Sequence, residues 1–209
     1  MIVIGLTGSI GMGKSTAAAM FESLRVPVHE ADDEVHKLLG PGGKGAAAVG
    51  AAFPYFQFPQ IYGRKTKSGR RTIKRKELGQ VVFNNDGHRK RLEKILHPLV
   101  RAAQSDFIRR HKAMGTKIVV LDIPLLFETG GENRVDYTLV VSAPRNVQRQ
   151  RVLDRPGMDE KKFRAILKQQ MPDGEKRARA DYVVYTGLGR AQTMKEIKAA
   201  LADIKKREE

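Results

Sequence analysis

Hydrophobic and polar positions follow two periods along this chain. Runs dominated by apolar, largely β-branched residues occupy 2–6, 117–122, 137–142 and 182–185, with a shorter one at 26–29. Apolar runs without polar alternation predict parallel strands buried on both faces. Between them, apolar residues recur at helical spacing and predict helices over 14–25, 86–112, 146–154, 159–170 and 191–206. Strand and helix in alternation point to a doubly wound α/β sheet. Residues 40–79 break the alternation with Pro, Gly, aromatic and basic clusters, and are expected to be an excursion from the core. No internal repeat is present.

Within 86–112, Leu92, Ile95, Leu96, Leu99, Val100, Ala103 and Phe107 form one stripe, which leaves the other face free. His97, Pro98 and Arg101 flank it. Pro98 lacks a backbone donor and predicts a kink. Such a kink either aims His97 and Arg101 at a ligand or leaves them as solvated basic residues.

Length and composition narrow the possibilities. At 209 residues and 41% hydrophobic, the chain can bury one good core and carry small satellite units. Its longest apolar stretch, near 118–121, has the length of a strand and not of a membrane span. Met1 runs directly into the first strand, with no room for a charged leader. The absence of cysteine excludes disulfides, thiolate catalysis and zinc–sulfur sites. These features predict a soluble cytoplasmic protein. The formal charge of +16 implies attraction to polyanions, polymeric or small. It is local: residues 35–76 contain ten Lys or Arg and no acid.

The string Gly8-Ser9-Ile10-Gly11-Met12-Gly13-Lys14-Ser15 matches G-x-x-x-x-G-K-[ST], the P-loop. It follows a predicted strand and opens a predicted helix, which is the context the motif requires. Glycines let backbone N–H groups turn toward phosphate oxygens, and the helix N-terminus adds a positive dipole end. Lys14 supplies a mobile charge for the β- and γ-phosphates, and the Ser15 hydroxyl can ligate Mg²⁺. Asp122, at the end of the 117–122 strand, stands where a carboxylate would help to hold Mg²⁺, directly or through water. The alternative for such an Asp is a helix cap. No guanine-reading Asn/Thr-Lys-x-Asp string is present. After the second strand, Glu30-Ala31-Asp32-Asp33-Glu34 sets four carboxylates in five residues. They either favour the first turn of a helix or serve a hydroxyl nucleophile as proton acceptor.

The chain resembles the dephospho-CoA kinase family. The resemblance rests on Val28-His29-Glu30-Ala31-Asp32, Gly40-Pro41-Gly42, Val82-Phe83 and Leu92-Glu93-Lys94-Ile95-Leu96-His97-Pro98. It continues with Leu121-Asp122-Ile123-Pro124-Leu125-Leu126-Phe127-Glu128, Gln169-Gln170-Met171-Pro172 and Lys176-Arg177-Ala178-Arg179-Ala180-Asp181-Tyr182, in family order over nearly the whole chain. It implies a P-loop NTPase fold: a three-layer α/β/α core with a parallel five-stranded sheet, a helical substrate-binding region and a helical lid. The core would comprise 1–34, 113–144 and 174–209. The CoA-binding region would be 35–112, with a basic loop at 54–76, and the lid 145–173.

The implied reaction is transfer of the ATP γ-phosphoryl group to the ribose 3′-hydroxyl of dephospho-CoA, with Mg²⁺, as the last step of coenzyme A biosynthesis. Asp32 and Lys14 are then the expected catalytic residues, with Asp32 as general base. Gly8, Gly11, Met12, Gly13, Lys14, Ser15 and Thr16 form the expected ATP site. The lid supplies Arg149, Arg151 and Arg155, of which Arg149 and Arg155 are assigned to the triphosphate. Asp32, Arg75, His97 and Arg101 are assigned to the acceptor, and Ser15 and Asp122 to the metal. ATP and dephospho-CoA are the expected partners. No membrane or nucleic acid is expected, and the protein would be a monomer or weak oligomer.

This chain departs from the family in two places. Glu30 stands where an Asp is usual. The acidic turn expected before Val82-Phe83 is replaced by Arg70-Arg71-Thr72-Ile73-Lys74-Arg75, of which only Arg75 matches. Arg64, Lys65, Lys67, Arg70, Arg71, Lys74, Arg75 and Lys76 form a dense basic segment after Phe53, Tyr55, Phe56, Phe58 and Tyr62. It could be a solvated loop, a single-stranded nucleic-acid surface, or a means of attracting the acceptor's pyrophosphate. Two other functions remain. A P-loop kinase for another small acceptor, nucleoside or nucleotide, shares the phosphate loop but not the other strings. A nucleic-acid module regulated by ATP is motivated by charge alone.

Overall fold

The computed structural model describes residues 1–66, 69, 71–83 and 85–208. Lys67 and Arg70 of the basic segment therefore lie outside the described residues. The chain divides into two compact units, Met1–Glu30 with Arg110–Glu209, and Ala31–Arg109.

The first unit is built on a parallel sheet of five strands: β1 (Ile2–Thr7), β2 (Val28–Glu30), β5 (Ile118–Asp122), β6 (Tyr137–Ser142) and β7 (Tyr182–Tyr185). Their order is β2-β5-β1-β6-β7, so β1, which leads into the phosphate loop, is central. Every residue of β5 is buried, as its unbroken apolar run predicts. Helices α1 (Lys14–Ser23) and α9 (Arg190–Arg207) contribute Ala17, Ala18, Phe21, Ile197, Leu201 and Ile204 to one core cluster with Ile4, Leu6, Leu139 and Val141. Helices α6 (Arg145–Leu153), α7 (Glu160–Leu167) and α8 (Asp173–Arg179) complete the unit.

Three boundaries differ from the periodicity by two residues or more. Helix α1 stops two residues before the predicted end. Arg25 adopts a left-handed φ of 61°, and the Val26 N–H reaches back to the Phe21 carbonyl, which closes the helix with a Schellman-type turn. Strand β2 begins at Val28, after Pro27, and runs on to Glu30. Helix α7 ends at Leu167, so Gln169 and Gln170 leave the helical path. Helix α8 was not anticipated, because its residues are almost all polar.

The second unit contains α2 (Ala31–Leu39), α3 (Lys44–Ala52), a hairpin of β3 (Tyr62–Lys65) and β4 (Arg71–Ile73), α4 (Arg75–Phe83) and most of α5 (Asp86–Ala113). The predicted excursion thus has a core of its own, made by Leu39, Val49, Phe53, Ile61, Ile73, Leu78 and Leu96. Three of the five clustered aromatics belong to it. Phe53 is fully buried, Phe58 meets it edge-on at 5.3 Å, and the Tyr62 hydroxyl donates to the Phe53 and Gly50 carbonyls at the end of α3. Tyr55 and Phe56 stay exposed.

Helix α5 runs unbroken through Pro98. It buries Leu96, Gln104 and Phe107 and leaves His97, Pro98 and Arg101 exposed. Lys94, whose carbonyl loses its partner to the proline, is exposed as well, so water can satisfy it.

Candidate active site

The phosphate loop starts where β1 ends. Gly11 and Gly13 hold φ of 78° and 87°, which side chains other than glycine rarely adopt. Gly8 is required for a different reason: a Cβ there would lie 2.5 Å from Val141 Cγ2. Gly13 opens α1 without any side-chain cap, and no acid lies in the first turn. The first N–H groups of α1 therefore remain open to an anion. Ser15 is exposed in that turn, with Thr16 partly buried after it.

Polar pins fix the loop from behind. The Ile10 N–H donates to Gln170 Oε1 at 3.0 Å, and the Ile10 carbonyl accepts from Gln148 Nε2 at 2.8 Å. The Met12 carbonyl accepts from the Thr186 hydroxyl at 2.7 Å. Arg151 donates to Thr186 twice, to the hydroxyl at 2.9 Å and the carbonyl at 2.7 Å. Arg151 is thus tied to the phosphate loop through Thr186. Sequence reasoning placed Arg151 among the lid arginines without finding this role, because Thr186 lies 35 residues away from it. Gln148 and Gln170 were missed for the same reason, although Gln170 lies inside a string quoted for the family resemblance.

Asp122 closes β5, is 2% exposed, and accepts a hydrogen bond and ion pair from Lys14. In the parallel register Asp122 is paired with Leu6 of β1 on one side and Glu30 of β2 on the other. Two carboxylates therefore stand abreast at the carboxyl ends of neighbouring strands. Among the described residues no group of three or more His, Cys, Asp or Glu could hold a metal ion by itself. Ser15 and Asp122 fit an ion that arrives on a nucleotide, since Mg²⁺ usually takes one or two protein ligands and completes its shell with phosphates and water.

Further back, Lys176 is fully buried and pairs with Glu128 at 2.8 Å, and the Met171 N–H donates to the same carboxylate oxygen at 2.8 Å. Glu128 ends the segment that Asp122 begins. This pair holds the residue next to Gln170, and so indirectly the pin on Ile10. In the segment expected to form a lid, Arg149 is engaged by Glu160, and Arg155 is exposed just after α6. A triphosphate contacting Arg149 would have to compete with Glu160.

The residues expected on the acceptor side all belong to the second unit and are exposed. Asp32 sits in the first turn of α2, Arg75 begins α4, and His97 and Arg101 stand one turn apart on the free face of α5.

A parallel sheet with a strand–loop–helix phosphate site, whose lysine pairs with an acid at the end of the neighbouring strand, defines a P-loop nucleotide-binding protein. The family model for dephospho-CoA kinase matches residues 2–189. A dephospho-CoA kinase of Mesorhizobium japonicum is 49% identical over 205 residues, 98% of each chain. A protein of Thermus thermophilus superimposes with a TM-score of 0.77 at 33% identity, covering 97% of both chains. A dephospho-CoA kinase from Campylobacter jejuni does so with a TM-score of 0.70 at 27% identity, covering 99% of this chain and 98% of that one. This chain belongs to the dephospho-CoA kinase family. The family's activity is ATP-dependent phosphorylation of dephospho-CoA in coenzyme A biosynthesis.

Proposed function

We propose that Asp32 takes the proton from the ribose 3′-hydroxyl of dephospho-CoA as that oxygen attacks the γ-phosphorus of ATP. The new O3′–P bond forms as the bond to the β-phosphate oxygen breaks, ADP leaves, and the proton stays on the carboxylate. Lys14 and the open N–H groups of the phosphate loop stabilise charge on the transferred group. For this Lys14 must exchange Asp122 for phosphate, which frees Asp122, with Ser15, to hold a nucleotide-borne Mg²⁺. The ion supplies Lewis-acid neutralisation of the phosphate oxygens when bound. Arg149 and Arg155 close on the triphosphate. Arg75, His97 and Arg101 bind the acceptor. ATP and dephospho-CoA are the two small-molecule partners of a monomer or weak oligomer, working in the cytoplasm, where ATP is made and held.

The observation that carries the base assignment is the register of β2. Glu30 stands beside Asp122, and chain connectivity keeps Asp32 within two residues of Glu30, in an exposed helical first turn. The test is a coupled assay of ADP release with dephospho-CoA, run beside an Asp32→Asn variant. Loss of a general base should lower kcat by about 10²–10⁴-fold, with ATP affinity unchanged. Turnover that survives in the variant would transfer the role to Glu30 or Asp33. Absence of turnover in the unmodified enzyme would refute the acceptor.

A further inference from the structure

The second unit contains a cavity of about 570 Å³. One wall is the turn Gly40-Pro41-Gly42-Gly43 with Ala46, Ala47 and Gly50 of α3, and the other is the β3–β4 hairpin, including Tyr62, Arg71 and Thr72. Among the described residues its lining has one charged side chain, Arg71, and no carboxylate or carboxamide. Arg71 lies over the Tyr55 ring, its guanidinium carbon 4.1 Å from the centroid, and residues 35–76 offer it no acid. We infer that this cavity receives the pantetheine arm of the acceptor, with Arg71 at the diphosphate end of the arm. The assignment rests on the reading that dephospho-CoA is the acceptor and that its 3′-hydroxyl meets Asp32.

Shape, chemistry and distance support it. The arm is slender and largely apolar, and its two amides can bond to backbone groups, which the glycine turn leaves uncovered by side chains. Among its described lining residues there is no Asn, Gln, Asp or Glu, so only backbone groups and hydroxyls would be left to read an adenine's amino edge, and distance decides between the two ends of the acceptor. Asp32 lies in the first turn of α2 and Gly40 directly follows its last residue. Eight helical steps separate Asp32 from Gly40, about 12 Å at 1.5 Å each. The base is joined to the ribose by one bond, so its far edge stays within about 8 Å of the 3′-hydroxyl, given bonds of about 1.5 Å. The diphosphate and arm together extend well beyond that distance. Only the arm covers the distance. The positive charge of Arg71 and the lack of acid among the described lining residues match the diphosphate.

The test fills the cavity without disturbing the core. Ala47 is exposed on α3, and leucine has nearly the helix propensity of alanine. An Ala47→Leu variant should keep its melting temperature and its KM for ATP. Binding of 4′-phosphopantetheine, measured by calorimetry, should weaken at least about tenfold, while binding of AMP stays unchanged. The KM for dephospho-CoA should rise by a similar factor. Arg71→Gln should weaken 4′-phosphopantetheine at low salt, with the difference shrinking at high salt.

Equal losses for AMP and 4′-phosphopantetheine would give the cavity to the nucleoside end and overturn the assignment. Unchanged 4′-phosphopantetheine binding in Ala47→Leu, or none to the unmodified protein, would overturn it as well. Because this binding needs no turnover, the cavity can fail while the kinase reaction stands, and the reverse.

Discussion

The two units are organised by different means. In the first, the expected ATP and metal residues sit in a loop pinned by buried or half-buried side chains, with Thr186, Gln148 and Gln170 each bonded to its backbone. In the second, Asp32, Arg75, His97 and Arg101 are all exposed, and order comes from an apolar core that none of them enters. A triphosphate needs donors held in place before it arrives, because preorganised dipoles cost nothing to reorient during transfer. An acceptor with a long flexible arm would be served by a shaped cavity with a positive charge in its lining. The lesson is that polar pins should govern the donor side, and cavity shape the acceptor side.

The comparison can be broken in several places. Exchange of Asp32 has the largest expected effect, on kcat, with ATP affinity unchanged. Next is the buried pair behind the loop. Lys176→Met leaves the Glu128 carboxylate without its cation and should destabilise the protein by about 3–5 kcal/mol, read by chemical denaturation. Glu128→Gln with Lys176→Met should recover much of that loss, since the uncompensated charge is gone. A small loss in the single variant would mean that the pair is not a structural element.

Smaller is Thr186→Val, which strips the Met12 carbonyl of its donor and Arg151 of an acceptor, at about 1–3 kcal/mol for unsatisfied buried groups. The KM for ATP should rise about tenfold or more, with the KM for dephospho-CoA unchanged. An equal rise in both would erase the distinction between the units.

The smallest effect lies far from either site. The Tyr182 hydroxyl, donating at 2.7 Å, is the main cause that holds Asp203 below the usual aspartate range, with Arg207 contributing. A depressed folded-state pKa contributes stability above the unfolded value and loses it as pH falls through the folded one. The stability gap between the unmodified protein and Asp203→Asn should therefore be present at neutral pH. It should close below about pH 4. A gap that persists in acid would assign the contribution to packing.

Much was legible before any fold was known, and the reasons are local. The inner strands β5, β1 and β6 announce themselves because a parallel strand buried on both faces must be almost entirely apolar, as in Ile118–Asp122. The phosphate loop is legible because its chemistry needs consecutive backbone donors, so its residues are adjacent in the chain. The stripe on α5 follows from helical period alone, and the helix tolerates Pro98 where solvent covers the lost bond.

What the tertiary structure decided is everything that depends on residues distant in sequence. It put Glu30 abreast of Asp122 through strand order, brought Gln170 to Ile10 across 160 positions, and paired Lys176 with Glu128. It turned an irregular, basic, aromatic stretch into a folded unit by burying Phe53 and Ile61 against α3 and α4 residues. It also opened a cavity beside Ala46, Ala47 and Gly50, three positions that look featureless in the chain. Periodicity and adjacency encode local geometry, whereas pins and cavities arise only when separate segments meet.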